Sequence, residues 1–143
     1  MREIKFRAWD KKYSYMDDEI WIDSRGNIYD RARITYDTPN TEVKQAKDDR
    51  FILMQYTGLN DINGVEIYEG DIVTATWYDD IVIMQLSLTG KVQYHSGWLA
   101  FVIWDEQRKT MSEINGCGFR DWEIEVIGNI YESPELLEGG GEL

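Results

Sequence analysis

Cysteine and histidine are nearly missing from this chain of 143 residues: Cys117 and His95 are the only examples. One cysteine excludes an intramolecular disulfide and makes the reducing cytoplasm the natural compartment. So few thiols and imidazoles also exclude a zinc-type ligand cluster. Long apolar runs are absent too. None approaches the ~18 residues of a membrane-spanning helix, and the opening Met-Arg-Glu-Ile-Lys-Phe-Arg-Ala-Trp lacks the apolar core of a secretion signal. No membrane association is expected. A glycine-rich phosphate cradle is likewise missing.

Positive charge is scarce in one part of the chain only. Residues 1–50 carry eleven basic and eleven acidic side chains, whereas residues 51–143 carry four basic and sixteen acidic, which accounts for the whole net charge of −12. Such a surface repels the phosphate backbone that dominates non-specific nucleic-acid binding. The excess serves solubility; the sharper readings are a docking face for a basic partner or mimicry of nucleic-acid charge.

What is abundant is aromatic: six Trp and nine Tyr, within an overall hydrophobic content of 43%. That load favours strands over helices and a folded core over disorder. Ile4, Phe6 and Ala8 alternate with Glu3, Lys5, Arg7 and Trp9, the period of a half-buried antiparallel strand. Turns at Asp10-Lys11-Lys12 and Ser24-Arg25-Gly26-Asn27 make the first 35 residues a three-stranded meander. Residues 37–50 change character, as either a short helix capped by Thr41 or a loose loop between lobes.

Beyond it, Phe51-Ile52-Leu53-Met54 reads as a strand buried on both faces, and Asn63-Gly64 as a hairpin turn. Residues 81–88 read as a strand ending in a turn at Thr89-Gly90. The strand over 98–104 is apolar on both sides, and so is either central to the core or covered by another subunit. Gly116-Cys117-Gly118 is a flexible corner, Trp122 to Ile130 a last strand, and Ser133-Pro134-Glu135 the start of a closing helical turn. The fold class is therefore mainly β, β-rich α+β at most. An antiparallel meander over 1–50 leads into a barrel-like core over 51–138, and 139–143 form a disordered tail. Gly70-Asp71-Ile72-Val73 is a common entry into an SH3-like small barrel, an analogy only.

Chemistry finds little purchase. Cys117 has Arg120 as its nearest cation and reads as a free structural thiol, and His95 as a solvated residue at a strand end. The carboxylate pairs Asp17/Asp18, Asp48/Asp49, Asp79/Asp80 and Asp105/Glu106 fall in loops or at strand ends, where solvated acids belong, and no spacing selects one. Asp61-Ile62-Asn63-Gly64 fails the spacing of a calcium loop. No catalytic, cofactor or metal residues are expected, and no cofactor.

The stretch Met-Gln-Tyr-Thr-Gly-Leu-Asn-Asp-Ile-Asn-Gly-Val-Glu-Ile-Tyr-Glu-Gly-Asp-Ile-Val at 54–73 resembles the hallmark segment of the YopX family. The start Arg2-Glu3-Ile4-Lys5-Phe6-Arg7-Ala8-Trp9-Asp10 and the close, from Glu125-Val126-Ile127-Gly128-Asn129 to Leu137, resemble the same family in the same order. The resemblance implies a phage or prophage origin, a cytoplasmic protein of the bacterial host and a mostly β fold, with no assigned reaction. A non-enzymatic protein-binding or regulatory module is the leading expectation, with an unknown host or phage protein as partner and homo-oligomerisation plausible. Trp77, Tyr78, Trp98 and Trp104 are the aromatics to consider first as partner contacts. The alternative is a nucleic-acid-associated small β-barrel, for which only residues 2–33, with eight basic against seven acidic side chains, offer cations in number.

Overall fold

The computed structural model describes residues 2–30 and 50–138. The helix expected near Thr41, part of the third meander strand, Asp48/Asp49 and the 139–143 tail lie outside them. Eleven strands follow in order: β1 Phe6–Asp10, β2 Tyr15–Asp17, β3 Ile20–Ile22, β4 Ile28–Asp30, β5 Phe51–Asn60, β6 Glu66–Tyr68, β7 Asp71–Asp79, β8 Met84–His95, β9 Ala100–Asp105, β10 Thr110–Glu113 and β11 Arg120–Asn129. A single 3-10 turn, Pro134–Leu137, closes the described chain, so the fold is mainly β and antiparallel. Two compact units divide it, Ile4–Gln55 and the chain from Tyr56 onward with the extreme N-terminus, and their boundary falls within β5.

In the first unit β1 lies between β2 and the leading half of β5, and β3 pairs with β4. The alternation read in residues 4–9 holds from Phe6 onward: Ala8 is fully buried and packs with Phe51, Ile20 and Ile28. Asp10 is buried as well. Its carboxylate accepts hydrogen bonds from Arg50 Nη2 at 2.7 Å and from the backbone N–H of Lys12 at 2.9 Å. Burial pushes this carboxyl up, but the bonds from Arg50, Tyr13 and Lys12 together hold it below its ordinary value. Phe51 and Met54 are buried as expected, whereas Leu53 is 37% exposed, so β5 is not covered on both faces throughout.

The second unit holds a five-stranded sheet in the order β10-β9-β8-β7-β11. Residues alternate across it, and one face gathers Val73, Ala75, Leu88, Val92, Ile103 and Ile124, with Ile67 of β6 and Ile114 packed among them. Val102 and Ile103 are both buried, so the two apolar sides of β9 are covered within the chain. Trp98 and Leu99 precede β9 in the turn at 96–99 rather than belonging to it.

The expected strand at 81–88 and turn at Thr89-Gly90 are corrected. Residues 80–83 form the turn, and β8 runs unbroken from Met84 to His95. Gly90 is there for close approach, not for turning: a Cβ would lie 2.5 Å from the Trp104 carbonyl oxygen and 2.7 Å from Ile103 Cγ2. The turns at 11–14, 80–83, 96–99 and 106–109 share one device. Their last residues, Ser14, Ile83, Leu99 and Lys109, have φ of 52–55°. The side chain before each turn accepts backbone N–H bonds from within it: Asp10, Asp79, His95 and Asp105. Helical propensity has no part in these elements; turn chemistry and strand alternation determine them.

Replacing Gly90 with alanine forces the new methyl against backbone that cannot give way. We expect a loss of about 1–3 kcal/mol, read as a lower denaturant midpoint in chemical unfolding. An unchanged midpoint would mean that β8 and β9 tolerate the extra volume.

Candidate protein-docking cleft

The 54–73 segment folds as the second half of β5, a turn, β6 and the start of β7. Asp61 organises the turn. Its Oδ1 accepts the N–H groups of Asn63 at 2.8 Å and Val65 at 2.9 Å, and its Oδ2 accepts that of Val126 on β11 at 2.9 Å. Beside it the N–H of Ile62 donates to the Ile124 carbonyl at 2.9 Å. The β5–β6 hairpin is thereby fastened to the edge of the five-stranded sheet. Burial pushes the Asp61 carboxyl up, but the N–H bonds from Val126, Val65 and Asn63 outweigh it and hold the group below its ordinary value. The Asn63-Gly64 turn is where the sequence places it. Among the described residues no three His, Cys, Asp or Glu side chains form a group able to hold a metal.

Fastening the hairpin leaves a cleft of about 340 Å³ beside it. Ile67, Ile114 and Ile124 form its buried floor and Trp122 one side, while Leu59 and Ile62 stand on the rim, Ile62 being 57% exposed. Asn60, Asp61, Asn115 and Glu123 supply the polar lining. Trp122 is fixed in place: its Nε1 donates to the Ile114 carbonyl at 3.1 Å, and Phe119 stacks on it at 5.1 Å. Gly116, expected as part of a flexible corner, is instead required by this ring, because a Cβ there would sit 2.1 Å from Trp122 Cγ.

The four aromatics singled out from sequence are not brought together. Trp77 packs against the core and tilts against Phe119 and Trp122, at 5.2 and 5.8 Å between ring centres. Tyr78, its neighbour on β7, lies under the Arg120 guanidinium at 4.3 Å. Trp98 is 49% exposed in the turn between β8 and β9, beside the His95 ring. Trp104 is partly buried on β9 and donates from Nε1 to Glu106. Trp77 alone adjoins the cleft, through Trp122. The rings that line or flank the cleft, Trp122 and Phe119, were not selected from sequence, since only the fold brings 114–124 against 59–67.

His95 and Cys117 share no contact. The His95 Nδ1 accepts the Trp98 N–H at 3.1 Å, and Cys117 is exposed. The carboxylate pairs prove to be divided in role, which corrects the reading of both members as merely solvated. Asp17 accepts the Glu19 N–H, Asp79 those of Ile81 and Val82, and Asp105 those of Gln107 and Arg108. In each of the three described pairs the first acid accepts backbone N–H groups and the second is exposed: Glu106 binds Trp104 and Lys109, Asp80 pairs with Arg120, and Asp18 stands in solvent.

This geometry defines a small antiparallel β protein with an apolar cleft beside a clamped hairpin. The family model described as "YopX protein" matches residues 5–138, and the chain belongs to the YopX family. The chain is similar to the crystal structure of protein EF1440 from Enterococcus faecalis, at 27% identity and a TM-score of 0.56, covering 96% of this chain and 99% of that one. It is also similar in fold to protein yopX from Bacillus subtilis, at 23% identity and a TM-score of 0.57, covering 95% of this chain and 98% of that one. A comparison with curated proteins found no match.

Replacing Asp61 with asparagine leaves at least one of the three partly buried N–H groups facing an amide donor. The expected cost at neutral pH is about 1–3 kcal/mol. Because the folded carboxyl is held below 3.8, the stability that Asp61 contributes is complete above that value and is lost as pH falls through the lowered one. The gap between wild type and Asp61→Asn in denaturant midpoint should therefore narrow as pH drops below 3.8. A gap constant with pH would show that the charge of Asp61 does not stabilise the fold.

Proposed function

We propose that this chain is a non-enzymatic protein-binding module and that it docks its partner in the cleft between the 59–67 hairpin and the 114–124 segment. The observation that carries the reading is the pairing of an apolar floor with exposed apolar rim residues, at a place held rigid by Asp61 and Trp122. Ile62 and Leu59 extend apolar surface outside the groove, where a small molecule would leave it uncovered but a protein would not. In the described acidic pairs Asp17, Asp79 and Asp105 are engaged by backbone N–H groups of the residues that follow them. The setting in keeping with the family resemblance is the cytoplasm of a phage-infected or lysogenic bacterium. Among the described residues no helix is long and apolar enough to cross a membrane.

The test compares wild type with Ile62→Ser, a change at an exposed site expected to leave stability nearly unchanged. Each tagged protein is incubated with nuclease-treated bacterial host lysate. A protein retained in stoichiometric amount by wild type and lost from the variant is the expected result. Equal retention by both would remove the cleft as the dock. Recovery of nucleic acid, or loss of every partner after nuclease, would favour the nucleic-acid-associated alternative.

A further inference from the structure

Resting on the docking reading above, we infer that the cleft takes an extended, cationic segment of a partner protein. An apolar side chain of that segment sits between Ile62 and Trp122, and its lysine or arginine side chains reach the rim. Two observations lead there.

The first is charge. Among the described residues, Asp61 and Glu123 are the charged ones lining the cleft, and no cation lines it. Asp61 is already occupied by three N–H groups. Glu123 is different: it is exposed, and among the described residues it has no cationic partner. The same holds for Glu113, which precedes the lining residues Ile114 and Asn115. The base nearest Glu123 in sequence, Arg120, is engaged with Asp80 at 3.1 Å and lies over the Tyr78 ring, and the base nearest Glu113, Lys109, is paired with Glu106. The rim is left with unanswered negative charge, which a cationic segment answers and an acidic one does not.

The second is the shape of the wall. Ile114 and Asn115 continue directly from β10, the outer strand of the five-stranded sheet, which has no strand on its far side among the described residues. Backbone pairing with an extended chain would fall on β10 itself, because at the cleft wall the Ile114 N–H and carbonyl are taken by the Phe101 carbonyl and the Trp122 indole, and the Glu113 carbonyl accepts the Gly116 N–H. A cleft of about 340 Å³ accommodates side chains of such a segment but not its whole body, so the backbone stays at the mouth, within reach of Glu113 and Glu123.

The probes are three fluorescein-labelled peptides of equal length, alternating leucine with lysine, glutamine or glutamate. Binding is read by anisotropy, and its location by the NMR signal of the Trp122 indole N–H, which donates to the Ile114 carbonyl. The lysine peptide should bind tightest, move the Trp122 signal and weaken as salt is raised. The Glu113→Gln/Glu123→Gln double variant should bind it about three- to tenfold more weakly, while Ile62→Ser should weaken the lysine and glutamine peptides alike. If the glutamine peptide binds as tightly with the same Trp122 shift, the docking reading stands and the cationic partner is overturned. If the lysine peptide binds without moving Trp122, it is held by general charge attraction, and the inference is overturned. If no peptide moves Trp122, the docking reading falls with it.

Discussion

The second unit depends on one carboxylate. Asp61 accepts two N–H groups from its own turn and one from β11, so a single side chain both shapes the β5–β6 hairpin and fixes where that hairpin meets the sheet. Neither task needs the other, yet combining them means the turn cannot change shape without shifting its attachment. Ile67 of β6 is delivered into the core by this arrangement, and Thr57 Oγ1 secures it from β5 by donating to the Ile67 carbonyl at 2.8 Å. The cleft is what remains between an attached hairpin and a sheet that ends at β10.

The same chemistry recurs at several other reversals of the chain. Asp10, Asp17, Asp23, Asp79 and Asp105 each accept backbone N–H groups from the residues that follow them. Asp23 shows its effect most clearly, because the backbone and side-chain bonds from Asn27 hold its carboxyl down at about 2. Part of the acidity read as surface charge is therefore local architecture, with carboxylates where other proteins place glycine or asparagine. Glu113 and Glu123, beside the cleft, are among the carboxylates that cap no turn.

How much of this was legible in the sequence follows from what each element depends on. Strand alternation is local, so Phe6 to Trp9 and the β nature of the fold could be read directly, whereas Asp10, read as part of a turn, is the buried last residue of β1. The Asn63-Gly64 turn is equally local and lies where it was read. Gly90 and Gly116 were misread because both are occupied by distant residues, Trp104 in one case and Trp122 in the other. The apolar run at 81–83 has the composition of a strand but forms a tip, with Ile81 91% exposed, because Asp79 captures the N–H groups of Ile81 and Val82. The cleft could not be read at all. Its two walls are separate stretches of chain, and spacing along a sequence gives no register between them.

The bond from Val126 to Asp61 spans 65 residues, while β7 to β10 pair with their neighbours through turns of four residues. Loop closure over that span costs more entropy than closing a hairpin, and distant pairings form more slowly than local ones. The meander is thus expected to assemble before its fastening. During synthesis, β7 through β10 are complete while Val126 is still unmade, so the hairpin carrying Ile62 has nothing to hold it. The cleft comes into being only when β11 has emerged, and a chain interrupted before that point would carry most of the sheet without it.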